Sequence, residues 1–333
     1  MAIENEQLGE ILSSAISERS KTYVDLVSNS NVLLSAMRKH GMWKSYTGPS
    51  IRQTLQLDES DTYTRYSGFD YLNPKAAPLL GDAEFTPKMA AVTIAISNEQ
   101  LLGNAGDGQI FDIMEVRMEA AERELQDRFC EDLHSDGTAD GGLQITGLQQ
   151  AIPTDPTVGV YGNIDRATTP TWRTQTFTAG SGLLAGKDAS VQEDLIDMWT
   201  RVAVESSVGR NGPSLILAST NHYLTAEKAF RDIQRITTID SDPALGAPAK
   251  MIVQLGGRRM EVIHEGGQGS AMPTNVSYFV DPKGLAFRYN EKRNFKPFGG
   301  TLTPVNQDAV VRKVGIMGEL VLANPRHASK FIG

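Results

Sequence analysis

Cysteine is nearly missing from this chain. Cys130 stands alone among 333 residues, which excludes an internal disulfide and any multi-cysteine metal cluster, and makes a reducing cytosol the expected compartment. Long apolar runs are missing too. The longest, near Met89 to Ile96, falls far short of the roughly 18 residues that would span a bilayer, so no membrane association is expected. The N-terminal stretch is acidic where a secretory signal would be basic and apolar. Net positive charge is lacking: 32 Lys and Arg against 40 Asp and Glu leave −8. Tight binding of a polyphosphate would therefore need a local patch. Histidine is sparse and scattered, at His40, His134, His222, His264 and His327. Each is expected as a surface or capping residue, not as a metal ligand.

What is present describes a globular chain. An apolar content of 40% is ordinary for folded proteins and excludes global disorder, and the length suggests about two domains. Charge is unevenly spread. From Met251 onward the chain carries +5, leaving −13 for the first 250 residues, with ten acids against three arginines between Asp107 and Asp136. Such a split would let one copy dock on another, although solvated faces explain it equally well.

Ile3 to Met37 carries a narrow apolar stripe that includes Leu8, Ile11 and Leu12. The spacing predicts helix, but the stripe is too thin to nucleate a domain. Thr47 to Phe85 is the oddest segment. Ile51, Gln53, Leu55 and Leu57 alternate with polar residues, and the aromatics Tyr63, Tyr66, Phe69 and Tyr71 follow, then Leu72, Pro74 and Pro78. No helical period interrupts it, and a connection this long is improbable in a compact domain unless it has a function. Folded as a hairpin it would reach roughly 60 Å, against a radius of gyration of roughly 20 Å for a compact chain of this size. A lone ribbon is marginal in water, so a projecting one needs another molecule to hold it.

The strongest helix runs from an Asp107 cap to a Gly137 stop, with Phe111, Met114, Met118, Ala121, Leu125, Phe129 and Leu133 spaced by three or four. Residues 109–134 would form a spine of roughly 39 Å. Beyond a Gly- and Thr-rich link, Ser190 and Glu193 suggest a capping box for a helix reaching about Ser207. Pro213 to Ser219 reads as a buried strand and Tyr223 to Ile236 as a helix. Gly256-Gly257 reads as a hairpin turn between Met251–Leu255 and Arg258–Ile263. Further strands are expected at 277–280, 285–289, 309–314 and 319–323. The fold class is α+β with mostly antiparallel strands.

Catalytic templates fail on named residues. Gly186-Lys187 lacks both the leading Gly, since Ser181 stands there, and the hydroxyl residue, replaced by Asp188. Gly267-Gln268-Gly269 lacks its third Gly, His264-Glu265 has no second His on a helix, and no serine sits in a GxSxG elbow. Cys130 has no adjacent base. No catalytic, cofactor or metal residue is assigned. Arg258, Arg259, Lys292, Arg293 and Lys296, interleaved with Phe295 and Phe298, form the one basic stretch that invites a nucleic-acid reading. Salt bridges between subunits or plain solvation are the competing explanations.

The order of elements, together with Arg65-Tyr66-Ser67-Gly68-Phe69, Asn104-Ala105-Gly106-Asp107-Gly108-Gln109-Ile110, Ser135-Asp136-Gly137-Thr138-Ala139-Asp140-Gly141-Gly142, Gly147-Leu148-Gln149 and Gly162-Asn163-Ile164-Asp165-Arg166-Ala167-Thr168, resembles the major capsid proteins of tailed bacteriophages. Their shared architecture is the Hong Kong ninety-seven fold. The resemblance implies an N-terminal arm (1–46), an extended β-hairpin loop (47–88), a peripheral domain (89–146) holding the spine helix 109–134, a mainly axial domain (147–299) and C-terminal strands (300–333) returning to the peripheral domain. It implies hexamers and pentamers in an icosahedral head enclosing double-stranded DNA, built in the host bacterial cytoplasm with a portal and, in some relatives, a decoration protein. Only about forty residues precede the loop, so a separate scaffolding protein is expected. Lys75, Lys88 and Asn324 are of the types that the founding member cross-links, but no catalytic carboxylate is identifiable. Leu8, Ile11 and Leu12 in the arm and Tyr66, Phe69, Tyr71 and Leu72 in the loop are the expected contacts with neighbouring copies, with packing inside the subunit as the alternative. An encapsulin-like compartment and a cytosolic enzyme with a dispersed site stay open as rival readings.

Overall fold

The computed structural model describes residues 32–56, 63, 65–70, 80–97, 99, 107–209, 211–233, 251–266, 271–302 and 308–333. In chain order it runs α1 (Val32–Lys39), β1 (Trp43–Tyr46), β2 (Ile51–Gln56), β3 (Leu80–Phe85), β4 (Lys88–Ser97) and α2 (Asp107–His134). It continues through α3 (Leu148–Ala151), β5 (Val160–Tyr161), β6 (Ile164–Asp165), β7 (Gln175–Thr178), α4 (Gln192–Glu205), β8 (Leu215–Ala218) and α5 (Thr220–Ile233). The closing strands are β9 (Met251–Leu255), β10 (Arg258–His264), β11 (Val276–Val280), β12 (Leu285–Leu302), β13 (Ala309–Leu322) and β14 (Ser329–Ile332).

Two sheets organise the body. The first has the order β1-β12-β13-β4 and the second β7-β14-β11-β8-β10-β9. The β1/β12, β8/β10 and β7/β14 pairs are parallel and the other pairings antiparallel. Helix α2, 28 residues long and so roughly 42 Å end to end, lies along the first sheet. Phe129 meets Phe287 edge-on at 5.3 Å and Phe295 at 5.5 Å, while Trp43 stacks on Phe287 at 4.7 Å.

The second sheet is buried on both faces, which explains why its central strands read as unbroken apolar runs. Leu215 and Leu217 of β8 join the core shared with α2 and the first sheet. Ile216 and Ala218 point the other way, into the core built by Leu195, Met198, Trp199 and Val202 of α4. The hairpin reading at Gly256-Gly257 holds: both have positive φ, +55° and +77°, as a two-residue β turn of this hand requires. Gly137, φ +72°, follows the end of α2 as its sequence position suggested.

Several expectations need correction. Residues 309–314 and 319–323 belong to one strand, β13, because Gly315 and Gly318 are not breaks. A side chain on either would meet the ring of Phe298 or Phe287 at 2.8 Å, so each glycine makes room for an aromatic from β12. Residues 285–289 likewise begin a strand that continues to Leu302 through register shifts, with Phe295 at φ +52° turned into the core. The capping box is not formed. Ser190 Oγ donates instead to Asp188 Oδ1 at 2.8 Å, and Val191 caps α4 without a side-chain bond; a local Asp–Ser turn wins over the helix cap. Three of the five histidines, His134, His222 and His327, are buried, not on the surface.

Residues 32–46 are tied into the body: Leu33, Leu34, Ala36 and Met37 are buried, β1 joins the first sheet, and Lys39 and His40 approach Glu261 at 3.6 and 3.3 Å. The turn at Asp281–Gly284 carries the chain from one sheet to the other, so β12 lies beside the spine. The closing strand β14 does the reverse and inserts between β7 and β11.

Gly147 tests the packing between the end of α2 and α3. A Cβ there would stand 2.5 Å from the carbonyl carbon of Leu133, whereas at Gly284 the nearest atoms are 3.7 Å away. Gly147→Ala should lower the unfolding free energy by about 1–3 kcal/mol or more and Gly284→Ala should change it by less than about 1 kcal/mol, read by denaturant unfolding of the soluble subunit.

Candidate assembly surface

The first sheet extends into a two-stranded ribbon, β2 with β3, registered from Ile51↔Phe85 to Gln56↔Leu80. Its base is anchored. Phe85 packs edge-on against Tyr161 at 5.0 Å, Ile51 and Ala83 are buried, and Ser50 Oγ donates to Glu84 Oε1 at 2.6 Å. Farther out, a turn closes where the Ser67 N–H donates to Asp70 Oδ2 at 2.9 Å, with Gly68 at φ +56°. Tyr63, Tyr66 and Phe69 are 82, 63 and 104% exposed. Tyr66 and Phe69 thus gain little burial within the subunit. Leu8, Ile11, Leu12, Tyr71 and Leu72 lie outside the described residues. Lone exposed apolar residues are common; three rings on one short loop, each able to gain roughly 1.5–3 kcal/mol on burial, are not.

The foot of the ribbon is polar and partly buried. Lys88 at the start of β4 donates to the carbonyls of Gly137 and Gln144 at 3.1 and 2.6 Å, and to Thr146 Oγ1 at 3.1 Å. This binds the loop's return strand to the turn that ends the spine and leaves Lys88 no freedom to reach a neighbour. Glu319 of β13 sits beside it, buried, with Oε1 accepting from the Thr146 N–H at 3.1 Å. Burial pushes its carboxyl up to about 7, against the lowering pull of the Thr146 bond and Lys88. A second buried pair, His134 Nε2 to Glu265 Oε1 at 3.1 Å, joins the spine's end to the second sheet. Sequence reasoning missed both carboxylates. The signal for Glu319 was a lone acid inside the apolar run 314–322; for Glu265, whose partner is 131 residues away, there was none.

Nothing at these points assembles a reaction centre. Among the described residues no group of three His, Cys, Asp or Glu side chains converges, and no helix is long and apolar enough to cross a membrane. A cleft of about 230 Å³ between α4 and β7 is lined mainly by Phe177, Leu183, Leu184 and Val204, and its Arg201 is engaged with the Leu183 carbonyl at 3.0 Å. Cys130 is buried.

No family model and no curated protein matches the sequence. Solved structures do match. The cyanophage A-1(L) capsid subunit superposes with a TM-score of 0.61 at 13% identity, over 89% of this chain and 92% of that one. The capsid of an empty GTA particle gives 0.52 at 12%, over 88 and 94%, and a chain of Mycobacterium phage Bobi 0.50 at 12%, over 88% of each. This chain has the Hong Kong ninety-seven capsid fold.

The Glu319 carboxyl gives the foot a pH signature. Its folded-state value, about 7, lies above the ordinary 4.5, so its favourable contribution is complete below about pH 4.5 and is lost as pH rises through 7. The loss is roughly 3 kcal/mol. His222, pushed down to about 4 by burial, acts in the opposite sense in any variant, so the comparison must be pairwise. Glu319→Gln, which keeps the acceptor for Thr146, should gain stability relative to the parent as pH rises from 4.5 to 8 in urea unfolding; parallel pH curves would remove Glu319 as the source.

Proposed function

We propose that this chain is the major capsid protein of a tailed bacteriophage, a subunit that assembles with copies of itself into the icosahedral head enclosing double-stranded DNA. The observation that carries the proposal is the superposition on capsid subunits over nearly the whole length of both chains. Residues 32–46 aside, α2 with the first sheet would be the peripheral domain, the second sheet with α4 and α5 the axial domain at the centre of hexamers and pentamers, and the ribbon the loop that lies over a neighbour. The function is structural, not enzymatic.

The physical chemistry supports this reading. A loop that displays Tyr63, Tyr66 and Phe69 to water has no burial of its own and gains it from a second copy. A subunit of charge −8 does not grip packaged DNA, so the genome can move along the wall during filling and ejection. Single contacts of this size are modest. Misplaced subunits can therefore leave before closure, and collective burial then stabilises the shell. A separate scaffolding protein would guide the process in the bacterial cytoplasm, a portal would occupy one vertex, and a decoration protein is a further candidate partner; the finished protein resides in the virion head.

Expression of the chain with its scaffold should give closed shells by electron microscopy, with nuclease-protected DNA in heads made during infection. Protected protein cargo and no DNA would favour a compartment instead. Deleting Ser60 to Leu80 should leave a monomer with an unchanged thermal midpoint and no particles. Normal particles from the deletion would sink the loop's role.

A further inference from the structure

The turn between α4 and β8 holds a self-reactive pair. Asn211-Gly212 is the one place in the chain where glycine follows asparagine, so no side chain shields the amide nitrogen next to the Asn211 side chain. Val208 and Asn211 close a two-residue turn. The Val208 N–H donates to the Asn211 carbonyl at 2.8 Å, and the Asn211 N–H to the Val208 carbonyl at 3.1 Å. Gly209 has φ +60°, the hand such a turn requires. Arg258, at the start of β10, reaches across and donates through Nη2 to the carbonyls of Gly209 at 2.9 Å and Asn211 at 3.3 Å. That gives this cation a use inside the subunit. Asn211 is exposed and Gly212 buried, and neither the Asn211 side-chain amide nor the Gly212 N–H bonds to a described residue.

The Asn211 carbonyl is the oxygen of the peptide bond whose nitrogen belongs to Gly212. When that nitrogen loses its proton to hydroxide, the negative charge spreads onto this oxygen, where a guanidinium and a backbone N–H already point. Donors placed at a developing anion favour it, which makes the Gly212 nitrogen a better nucleophile than an ordinary backbone amide. We infer that Asn211 converts itself to an acidic residue. The Gly212 nitrogen bonds to the side-chain amide carbon of Asn211, the bond from that carbon to its NH2 breaks, and the leaving nitrogen takes a proton from water and departs as ammonia. A second water then opens the cyclic imide and leaves a carboxylate. The ring can open to aspartate or to the isomer whose backbone runs through the side-chain carbon and is longer by an atom. Gly212 leaves the longer chain no slack, since a Cβ there would stand 2.5 Å from Ser207 Oγ and 2.9 Å from Arg258 Nη1. Ordinary aspartate is therefore the favoured product. Its carboxylate lies beside Arg258 and ties the turn to the β9–β10 hairpin by charge as well as by hydrogen bonds. Each conversion adds a negative charge to a subunit that already carries −8.

Incubation of the soluble full-length subunit at mildly alkaline pH, followed by isoelectric focusing and peptide mass mapping, tests it. A more acidic band should grow in, with NH2 replaced by OH at residue 211 ahead of every other asparagine. Asn211→Gln, whose larger ring closes more slowly, should keep the original band. Arg258→Gln should slow the conversion roughly threefold or more, and Arg258→Lys, which keeps the cation, should slow it less. If Arg258→Gln does not fold, Arg258→Lys against the parent carries the comparison. The chain unfolded in guanidinium chloride is the reference for ring opening: an isoaspartate-specific methyltransferase should label the folded product, per converted residue, several-fold less than the unfolded one. No conversion at residue 211 of the folded subunit over the period in which the unfolded chain converts overturns the inference. So does an equal rate in the parent and the folded Arg258 variant, and equal labelling overturns aspartate as the product.

Discussion

Everything that projects from this subunit depends on the clamp between its spine helix and first sheet. Phe129 inserts between Phe287 and Phe295, with Trp43 stacked behind them. Each such aromatic pair adds about 0.5–1.5 kcal/mol beyond its area. More important is where the four rings come from: one from α2, one from β1 and two from β12, three stretches far apart in the chain. Their packing forces the helix, the edge strand and the long central strand to move as one body. A ribbon rooted in that body inherits a fixed direction at its base.

The root is built differently from the tip. At the foot of the ribbon, Lys88, Thr146 and Glu319 are locked among carbonyls and buried polar atoms, where removing one partner costs far more than the pair contributes. At the outer end the described rings, Tyr63, Tyr66 and Phe69, are exposed to water. Geometry is thus set inside the subunit, while the free energy to be gained lies outside it. That division suits assembly, since the orientation of a contact is fixed before its energy is released, and pre-organisation lowers the ordering cost of each addition.

How much of this the sequence revealed follows from the range of the interactions. The spine helix, the buried strand β8 and the Gly256-Gly257 turn are local patterns and could be read directly. The exposed aromatics could be named as unusual before any fold was known, because a long helix-free connection rich in Tyr and Phe has no local explanation. Gly315 and Gly318 misled, since the reason for a glycine there is a ring on β12, and without that ring a glycine in an apolar run reads as a break. Glu319 showed only as a lone acid in an apolar run, because its partner Thr146 is 173 residues earlier. Helix α1 looked like part of a thin arm because eight residues with four buried apolar positions gain stability only from the surface they dock on, here β10 and the shared core.

The two sheets also differ in how they use their faces, and the difference bears on where copies can meet. The second sheet has no free face at its centre, since alternate residues of β8 and β11 serve two cores. A strand buried on both sides can be rigid but cannot recognise anything. The first sheet gives one face to the spine and keeps part of the other open beside β4. Past Gly318, β13 loses that freedom, and Glu319 and Val321 are covered where the 144–165 segment crosses. The open face is therefore closed at its Gly318 end.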